Sequence, residues 1–163
     1  MAGFVNSSSQ NDKLSKAEIV KSALKFHSEG KIIEAEKLYK LFIEKGFKDP
    51  TVFNNYAVIC KKSGRLKESM MIYQKSIKFF ENHPDAYSNL AIIFKESGNI
   101  AQAIAHTKKA VSLKPDNPIF NYNLGNLLLD DGINDQAEYY LKLAIKLNPN
   151  FVSAHNNLGS FLL

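Results

Sequence analysis

Four asparagines recur 34 residues apart in this chain, at Asn55, Asn89, Asn123 and Asn157, with Lys21 at the corresponding place one step earlier. Asparagine disfavours helices because its side chain competes for backbone hydrogen bonds, so its recurrence within apolar helical patterns calls for a reason. Each carboxamide has both donor and acceptor groups. A row of them could therefore bond the main chain of an extended peptide. The alternative is that the asparagines are inherited from recent duplication or cap local backbone.

The elements that carry these asparagines are predicted to be paired helices. Apolar residues recur at three- and four-residue spacing, which is a helical period. Between residues 121 and 149 two such patterns flank Gly132, which can adopt the positive φ that a helix end often needs. The same hairpin of about 34 residues recurs along the chain. Its register is marked by three series of small residues: Gly30, Gly64, Gly98 and Gly132; Ala23, Ala57, Ala91, Gly125 and Gly159; Ala35, Ser69, Ala103 and Ala137.

This pattern resembles the tetratricopeptide repeat family. The shared features are small residues at the eighth and twentieth positions, a turn glycine at the fifteenth, and a proline near the repeat end at Pro115 and Pro149. A leucine or aromatic precedes the first small residue, except that Ser22 precedes Ala23. The resemblance covers residues 16–163. It implies an all-α, right-handed solenoid of antiparallel helix pairs that serves as an interaction scaffold.

The predicted organisation is a disordered leader followed by one repeat solenoid. The leader is residues 1–14, and the solenoid is residues 15–163. Ser15 and Glu18 form a capping-box pattern at the start of the first helix. The second helix is expected to bury Ile33 together with Tyr39. The predicted units span residues 16–49, 50–83, 84–117 and 118–151, with a partial fifth at 152–163. Their helices are predicted at Ser15–Ser28, Ile32–Lys45, Thr51–Ser63, Leu66–Asn82, Asp85–Ser97, Ile100–Lys114, Ile119–Asp131, Ile133–Asn148 and Phe151–Leu163.

The family resemblance also implies a binding surface. In tetratricopeptide proteins the first helices line a concave groove, and the sixth position faces into it. The asparagine column is similar to the asparagine ladder in the repeat domain of the O-linked N-acetylglucosamine transferases. The same register implies groove neighbours that would tune specificity. These are Asn54, Ser88, Tyr122, Asn156, Val58, Ile92, Asn126 and Ser160, followed one turn later by Lys61 and Lys95.

One ligand class of the family is not expected. Its clamp for C-terminal carboxylates needs a lysine at the fifth position and an asparagine at the ninth position of one unit. Here Asn54 stands with Val58, and Tyr122 with Asn126. A clamp for the tail of a chaperone is therefore not predicted.

The small positions predict how each helix pair packs. Within a hairpin Ala57 would face Ser69, and Gly125 would face Ala137, because small side chains let two helices approach closely. Cys60 shares its repeat position with large hydrophobic residues, so it is predicted to be a core residue rather than a nucleophile. A single cysteine also rules out an internal disulfide framework.

The net charge of +5 lies mainly in the first half of the chain. Residues 1–83 contain 15 Lys and Arg against 9 Asp and Glu, and residues 84–163 contain 6 against 7. This surplus could favour an acidic partner or could be an ordinary solvated face. Nucleic-acid binding is not expected, because the acidic residues are interspersed and no dense basic run with aromatics is present. There is no apolar run that could cross a membrane and no secretory signal, so a cytoplasmic location is predicted.

The sequence offers no catalytic pattern. Phosphate-binding, dinucleotide-binding, hydrolase and zinc-protease motifs are all missing, and the four histidines occupy four different repeat positions. We therefore expect no enzyme activity, cofactor or metal, and we expect a protein or extended peptide as partner. The alternative hypothesis is the N-terminal recognition region of a larger, glycosyltransferase-like transferase.

The end of the sequence prompts one further expectation. It stops within a first-type helix, that is, the first helix of a repeat pair. Without its partner helix, an apolar face would be incompletely covered. This face comprises Leu158, Phe161, Leu162 and Leu163. The favoured interpretation is a fragment of a longer protein. The alternative is self-association through this uncapped C-terminal helix.

Overall fold

A computed structural model describes residues 14–162 of the chain, and these residues form nine α-helices and no β-strand. The all-α fold class predicted from the repeat is confirmed. The helices are α1 Lys16–Ser28, α2 Ile32–Glu44, α3 Pro50–Lys62, α4 Leu66–Phe79, α5 Pro84–Glu96, α6 Ile100–Leu113, α7 Pro118–Asp130, α8 Asn134–Leu147 and α9 Val152–Leu162.

The starts of the first-type helices follow from their capping residues. Ser15 and Glu18 form the predicted capping box at α1. The side chains of Asp49 and Asn117 accept bonds from the first amides of α3 and α7. In α3, α5 and α7 a proline is the first helical residue, where its missing N–H costs nothing. These three helices therefore begin one residue earlier than predicted.

The turns within the hairpins depend on glycine. Gly132 has a φ of 76°, as predicted, and Gly30, Gly64 and Gly98 have nearly the same value. A side chain is strained in this left-handed region, so the glycines let each first helix turn into its partner. The second helix of the repeat at residues 50–83 is shorter than predicted, because α4 ends at Phe79 rather than at Asn82. Pro84 opens α5 a few residues later and disfavours helix in the residue before it.

The chain divides into two compact units, of which the first extends to Ile72. In this unit α1 packs on α2, and α2 packs on α3. The Ser69 hydroxyl donates to the carbonyl of Ala57 at 2.7 Å, which confirms that these two small positions face each other. Ile33 was predicted to be in the core but is 69% exposed. It lies about 200° around the helix from Ala35, and Ala35 faces the core.

The second unit extends from Tyr73. Helices α5 to α9 pack in sequence order, each against the next. The predicted close approach between Gly125 and Ala137 is confirmed, since a Cβ at Gly125 would lie 3.2 Å from the Ala137 carbonyl oxygen. A central cluster of buried side chains joins the helices. It comprises Ala91, Ala103, Ile104, Leu124, Leu127, Leu128 and Ala137.

Two sequence-based expectations concern the ends of the chain. Residues 1–13 of the predicted leader lie outside the described residues, as do Leu163 and the side chain of Leu162. Leu158 and Phe161, predicted to be incompletely covered, are half-buried on α9. Among residues 14–162, none of the helices has the length and apolar character needed to cross a membrane.

Candidate functional site

The four asparagines of the repeated column occupy equivalent places on first-type helices. Each is the sixth residue of its predicted unit, and each side chain is half-buried. Asn55 lies on α3 in the first unit, whereas Asn89, Asn123 and Asn157 lie on α5, α7 and α9 in the second. A half-buried carboxamide on a helix can still reach a ligand, so the placement is compatible with the predicted ladder.

The carboxamides of Asn55 and Asn157 also bond to tyrosine hydroxyls. Asn55 Nδ2 donates to the hydroxyl of Tyr39 at 3.2 Å. Asn157 Nδ2 donates to the hydroxyl of Tyr122 at 3.3 Å and to Asn126 Oδ1 at 2.7 Å. These bonds link neighbouring helix pairs, so Asn55 and Asn157 each have a packing role in addition to any contact with a ligand.

Asn123 differs from these two asparagines. Its carboxamide has no hydrogen-bond partner among the side chains and backbone groups of residues 14–162, and it lines a pocket of about 60 Å³ in the second unit. Helices α5 and α7 form most of this pocket, and α6 contributes Thr107. The lining includes Ser88, Ile92, Lys95 and Asn126 from the predicted groove residues, together with Ala91 and Leu127.

The pocket has an apolar lining with polar groups beside it. Ala91 and Leu127 are buried, and Ile92 is half-buried. Lys95 Nζ pairs with Asp130 Oδ2 at 2.7 Å, so the charge of this lysine is partly neutralised. Both side chains are more than two-fifths exposed, and such a pair contributes little to stability. The pair can therefore rearrange when a polar ligand group approaches.

Other predicted groove residues are divided between the two compact units. Asn54 and Lys61 are half-buried on α3 in the first unit. Tyr122 lies on α7 in the second unit, where its ring packs against Phe151 with the centroids 4.8 Å apart. Asn126 accepts the bond from Asn157 through its oxygen, so its Nδ2 group is left to donate.

A polar network in the first unit was not predicted from the sequence. Arg65 pairs with Glu36 at 2.6 Å and with Glu68 at 3.1 Å, and Glu68 also accepts the Tyr56 hydroxyl at 2.6 Å. Burial raises the pKa of Tyr56, and the bond to Glu68 raises it further. The three-residue spacing between Arg65, which directly precedes α4, and Glu68 on α4 was a visible signal. Glu36 lies too far away in sequence for its role to be inferred.

Cys60 is fully buried, as its repeat position predicted. Burial raises the pKa of its thiol to about 11, and the nearby Glu68 carboxylate adds to this effect. A thiol with a raised pKa is protonated at neutral pH and is a poor nucleophile. Within residues 14–162 no group of three His, Cys, Asp or Glu side chains is arranged to hold a metal ion.

Family models match the middle of the chain. One model described as a tetratricopeptide repeat matches residues 50–83 and 120–151, and a second matches residues 72–105. A model described as a TPR repeat matches residues 93–132. Together these matches span residues 50–151 without a gap. A comparison with curated protein sequences found no significant match.

Solved structures share the fold. YrrB, described as a TPR protein with an unusual peptide-binding site, is 15% identical with a TM-score of 0.75, over 88% of this chain and 74% of that one. MamA from Desulfovibrio magneticus is 17% identical with a TM-score of 0.80, over 90% and 82%. A mutant O-GlcNAc transferase from Thermobaculum terrenum is 26% identical with a TM-score of 0.64, over 69% of this chain but only 22% of its own.

Proposed function

Since this chain belongs to the tetratricopeptide repeat family, we propose that it binds an extended peptide segment of a protein along its first-type helices. The observation that carries the proposal is the uncommitted carboxamide of Asn123 beside an apolar pocket. A carboxamide can donate to a peptide C=O and accept from a peptide N–H. Asn123 would thus hold the ligand main chain at the pocket.

The pocket next to Asn123 would select the side chain of the same ligand residue. Its volume of about 60 Å³ suits a small aliphatic side chain better than an aromatic one. Burying an aliphatic group against Ile92 and Leu127 would stabilise the complex by removing apolar surface from water. Main-chain bonds would supply affinity while the pocket supplies specificity, which is a common division in peptide recognition.

The solved structures support the class of ligand without identifying it. YrrB is described as having a peptide-binding site, and it shares its fold with this chain. In the proposed complex Asn89 and Asn157 extend the row on either side of Asn123. The ion pair between Lys95 and Asp130 offers both charges to polar groups of the ligand.

A peptide-library experiment tests the proposal. The chain and its Asn123→Ala variant are compared for binding to immobilised peptides that carry a small aliphatic residue. Losing one or two main-chain bonds should weaken binding about fivefold to tenfold. The control is Asn134→Ala, which removes an exposed carboxamide at the start of α8, away from the pocket.

The outcomes are distinct once circular dichroism has shown that both variants are folded. If Asn123→Ala weakens binding and Asn134→Ala does not, the proposal is supported. If neither substitution changes binding to peptides that the parent chain retains, the asparagine column serves packing alone and the proposal fails.

A second function is favoured by one comparison. The 26% identity to an O-GlcNAc transferase supports the hypothesis that these repeats recognise substrates for a larger transferase. The matched region is 22% of that enzyme, so catalysis would reside elsewhere. An antibody raised against this chain would measure the mass of the natural protein. A mass equal to that of 163 residues would exclude this function.

A further inference from the structure

The first unit contains a second pocket, which the proposed function does not use. It has a volume of about 230 Å³ and is lined by His27, Ile32, Val58, Ile59, Lys62 and Ser63. All six residues belong to the first unit, on or just after helices α1 to α3. Its apolar lining comes from three aliphatic side chains, and its polar lining includes a lysine, a histidine and a hydroxyl but no acidic group.

The polar lining is arranged to donate hydrogen bonds. The Tyr39 hydroxyl accepts a hydrogen bond from Asn55 Nδ2, because this nitrogen can only donate. The hydroxyl can therefore donate its own hydrogen to His27 Nδ1, which lies 3.0 Å away. In this arrangement Nε2 is the ring nitrogen left to donate to a ligand. Lys62 is exposed and makes no ion pair with any residue in the described part of the chain. A ligand atom that accepts hydrogen bonds would therefore meet two donors.

The surrounding charge favours an anionic acceptor. Residues 1–72 contain 13 Lys and Arg against 8 Asp and Glu, whereas residues 73–163 contain 8 of each, so the entire net charge of +5 belongs to the first unit. Several acidic groups of this unit are already engaged by local partners. Glu29 pairs with Lys25 and Lys31, Glu36 and Glu68 pair with Arg65, and Asp49 caps α3.

We infer that this pocket binds an acidic side chain of a peptide ligand, with its aliphatic stem against Val58 and Ile59 and its carboxylate beside Lys62 and His27. The inference rests on the proposed function in so far as the ligand is an extended peptide. A glutamate fits the chemistry, since it combines a short apolar stem with a charged acceptor. Charge complementarity supplies the selectivity.

Nucleic acid is the competing anionic ligand, and the structure disfavours it. Acidic residues flank the basic ones along α2, where Glu34 and Glu36 precede Lys37 and Lys40 and Glu44 follows them. A polyanionic backbone needs a continuous basic track, because its affinity comes from neutralising several phosphates. A single pocket with an apolar lining suits one carboxylate instead.

The experiment uses labelled dodecapeptides and the whole chain. One peptide repeats Gly-Glu-Val four times, a second has Gln in place of Glu, and a third has Lys. Fluorescence anisotropy at low salt should show about tenfold tighter binding of the Glu peptide than of the Gln peptide. Lys62→Glu should remove this preference and improve binding of the Lys peptide. Lys37→Glu, an exposed substitution on α2 outside the pocket, is the matched control.

Each outcome separates this inference from the proposed function. If Lys62→Glu leaves the preference for Glu over Gln unchanged, or if Lys37→Glu reduces it equally, the inference is overturned. The Gln peptide together with Asn123→Ala tests the main-chain function independently of charge. A single-stranded DNA dodecamer that binds more tightly than the Glu peptide, with a steep salt dependence, would also overturn the inference in favour of nucleic acid.

Discussion

At the scale of single residues, the eighth position of the repeat shows how tightly the environment determines side-chain size. This position holds Gly125 and Gly159 in the last two units. A Cβ at Gly125 would lie 2.8 Å from Leu141 Cγ and 3.2 Å from the Ala137 carbonyl oxygen. A Cβ at Gly159 would meet nothing within 4 Å. The same repeat position therefore requires glycine in one unit and tolerates alanine in the other.

We expect opposite effects from the two alanine substitutions. Gly125→Ala should lower the free energy of unfolding by about 1–3 kcal/mol, because Leu141 is fully buried and cannot move aside. Gly159→Ala should raise it by up to about 1 kcal/mol, since alanine favours the helix. Urea unfolding followed by circular dichroism measures both. Equal shifts in the two midpoints would contradict the packing described for Gly125.

The asparagine column shows a related difference between identical residues. Asn55 and Asn157 donate to tyrosine hydroxyls, whereas Asn123 has no partner within residues 14–162. The tyrosines that accept these bonds come from different repeat positions, since Tyr39 lies on a second-type helix and Tyr122 on a first-type helix. The column is therefore not chemically uniform, and the Asn123 carboxamide has all of its hydrogen-bonding groups unused within residues 14–162.

At the scale of helices, a recurring bond ties two loops of the second unit, those before α7 and α9, to the helix that follows each. Asn121 Nδ2 donates to the carbonyl of Pro115 at 2.8 Å, and His155 Nε2 lies 2.9 Å from the carbonyl of Pro149. Both members of this pair recur after 34 residues. The 34-residue spacing was present in the sequence, but the bond was not predicted because the side chain changes from asparagine to histidine. His155 thus has a structural role.

Helix packing gives a prediction for adjacent residues on α5. Ala91 is 2% exposed within the core cluster of the second unit, whereas Ile92 is half-buried beside the pocket. Ala91→Leu should cost about 1–3 kcal/mol, because the added methyl groups overpack the contact between helices. Ile92→Leu should cost at most about 0.5 kcal/mol at its partly exposed site. Urea midpoints compare them, and equal losses would invalidate the assigned helix faces.

At the scale of the whole molecule, the two units differ in their chemistry. The first unit carries the entire net charge and the network of Tyr56, Glu68, Arg65 and Glu36. The central cluster of the second unit is built from aliphatic and alanine side chains. The raised pKa values of Tyr39, Tyr56 and Cys60 also fall in the first unit. Its stability should therefore depend more strongly on alkaline pH.

The sign of this pH dependence follows from the raised pKa values. Folding raises the pKa of the Cys60 thiol from 9.0 to about 11, so the unfolded chain loses this proton first as pH rises. The stabilising contribution is complete below pH 9.0 and is lost as pH approaches about 11. The raised pKa values of Tyr39 and Tyr56 act in the same direction.

Urea unfolding at about pH 8 and at about pH 10.5 would measure the effect, since these values lie on either side of the titration of the unfolded thiol. We expect a lower midpoint at the higher pH, and Cys60→Ser should reduce the difference between the two midpoints while lowering stability at both. Labelling of Cys60 with a thiol reagent at the lower pH should be slow in buffer and fast in urea, because the buried thiol must first be exposed. Rapid labelling of the folded chain would contradict the burial of Cys60.

The amino-acid sequence was sufficient to predict the repeat, the helix pairs and the small positions at which paired helices meet. This was possible because helix faces and turn glycines are set by short-range backbone geometry, which a period of 34 residues exposes directly. The predicted burial of Ile33 was wrong because Ile33 lies about 200° around α2 from Ala35, which faces the core.

Only the tertiary structure shows whether residues at the same repeat position have the same neighbours. The partner of a side chain comes from another helix and changes from unit to unit, even where the repeat position is the same. Glu36 reaches Arg65, Asp130 neutralises Lys95, and Leu141 excludes a methyl group at Gly125. A period in the sequence identifies the helix face of a residue, but the tertiary contacts determine what that face meets.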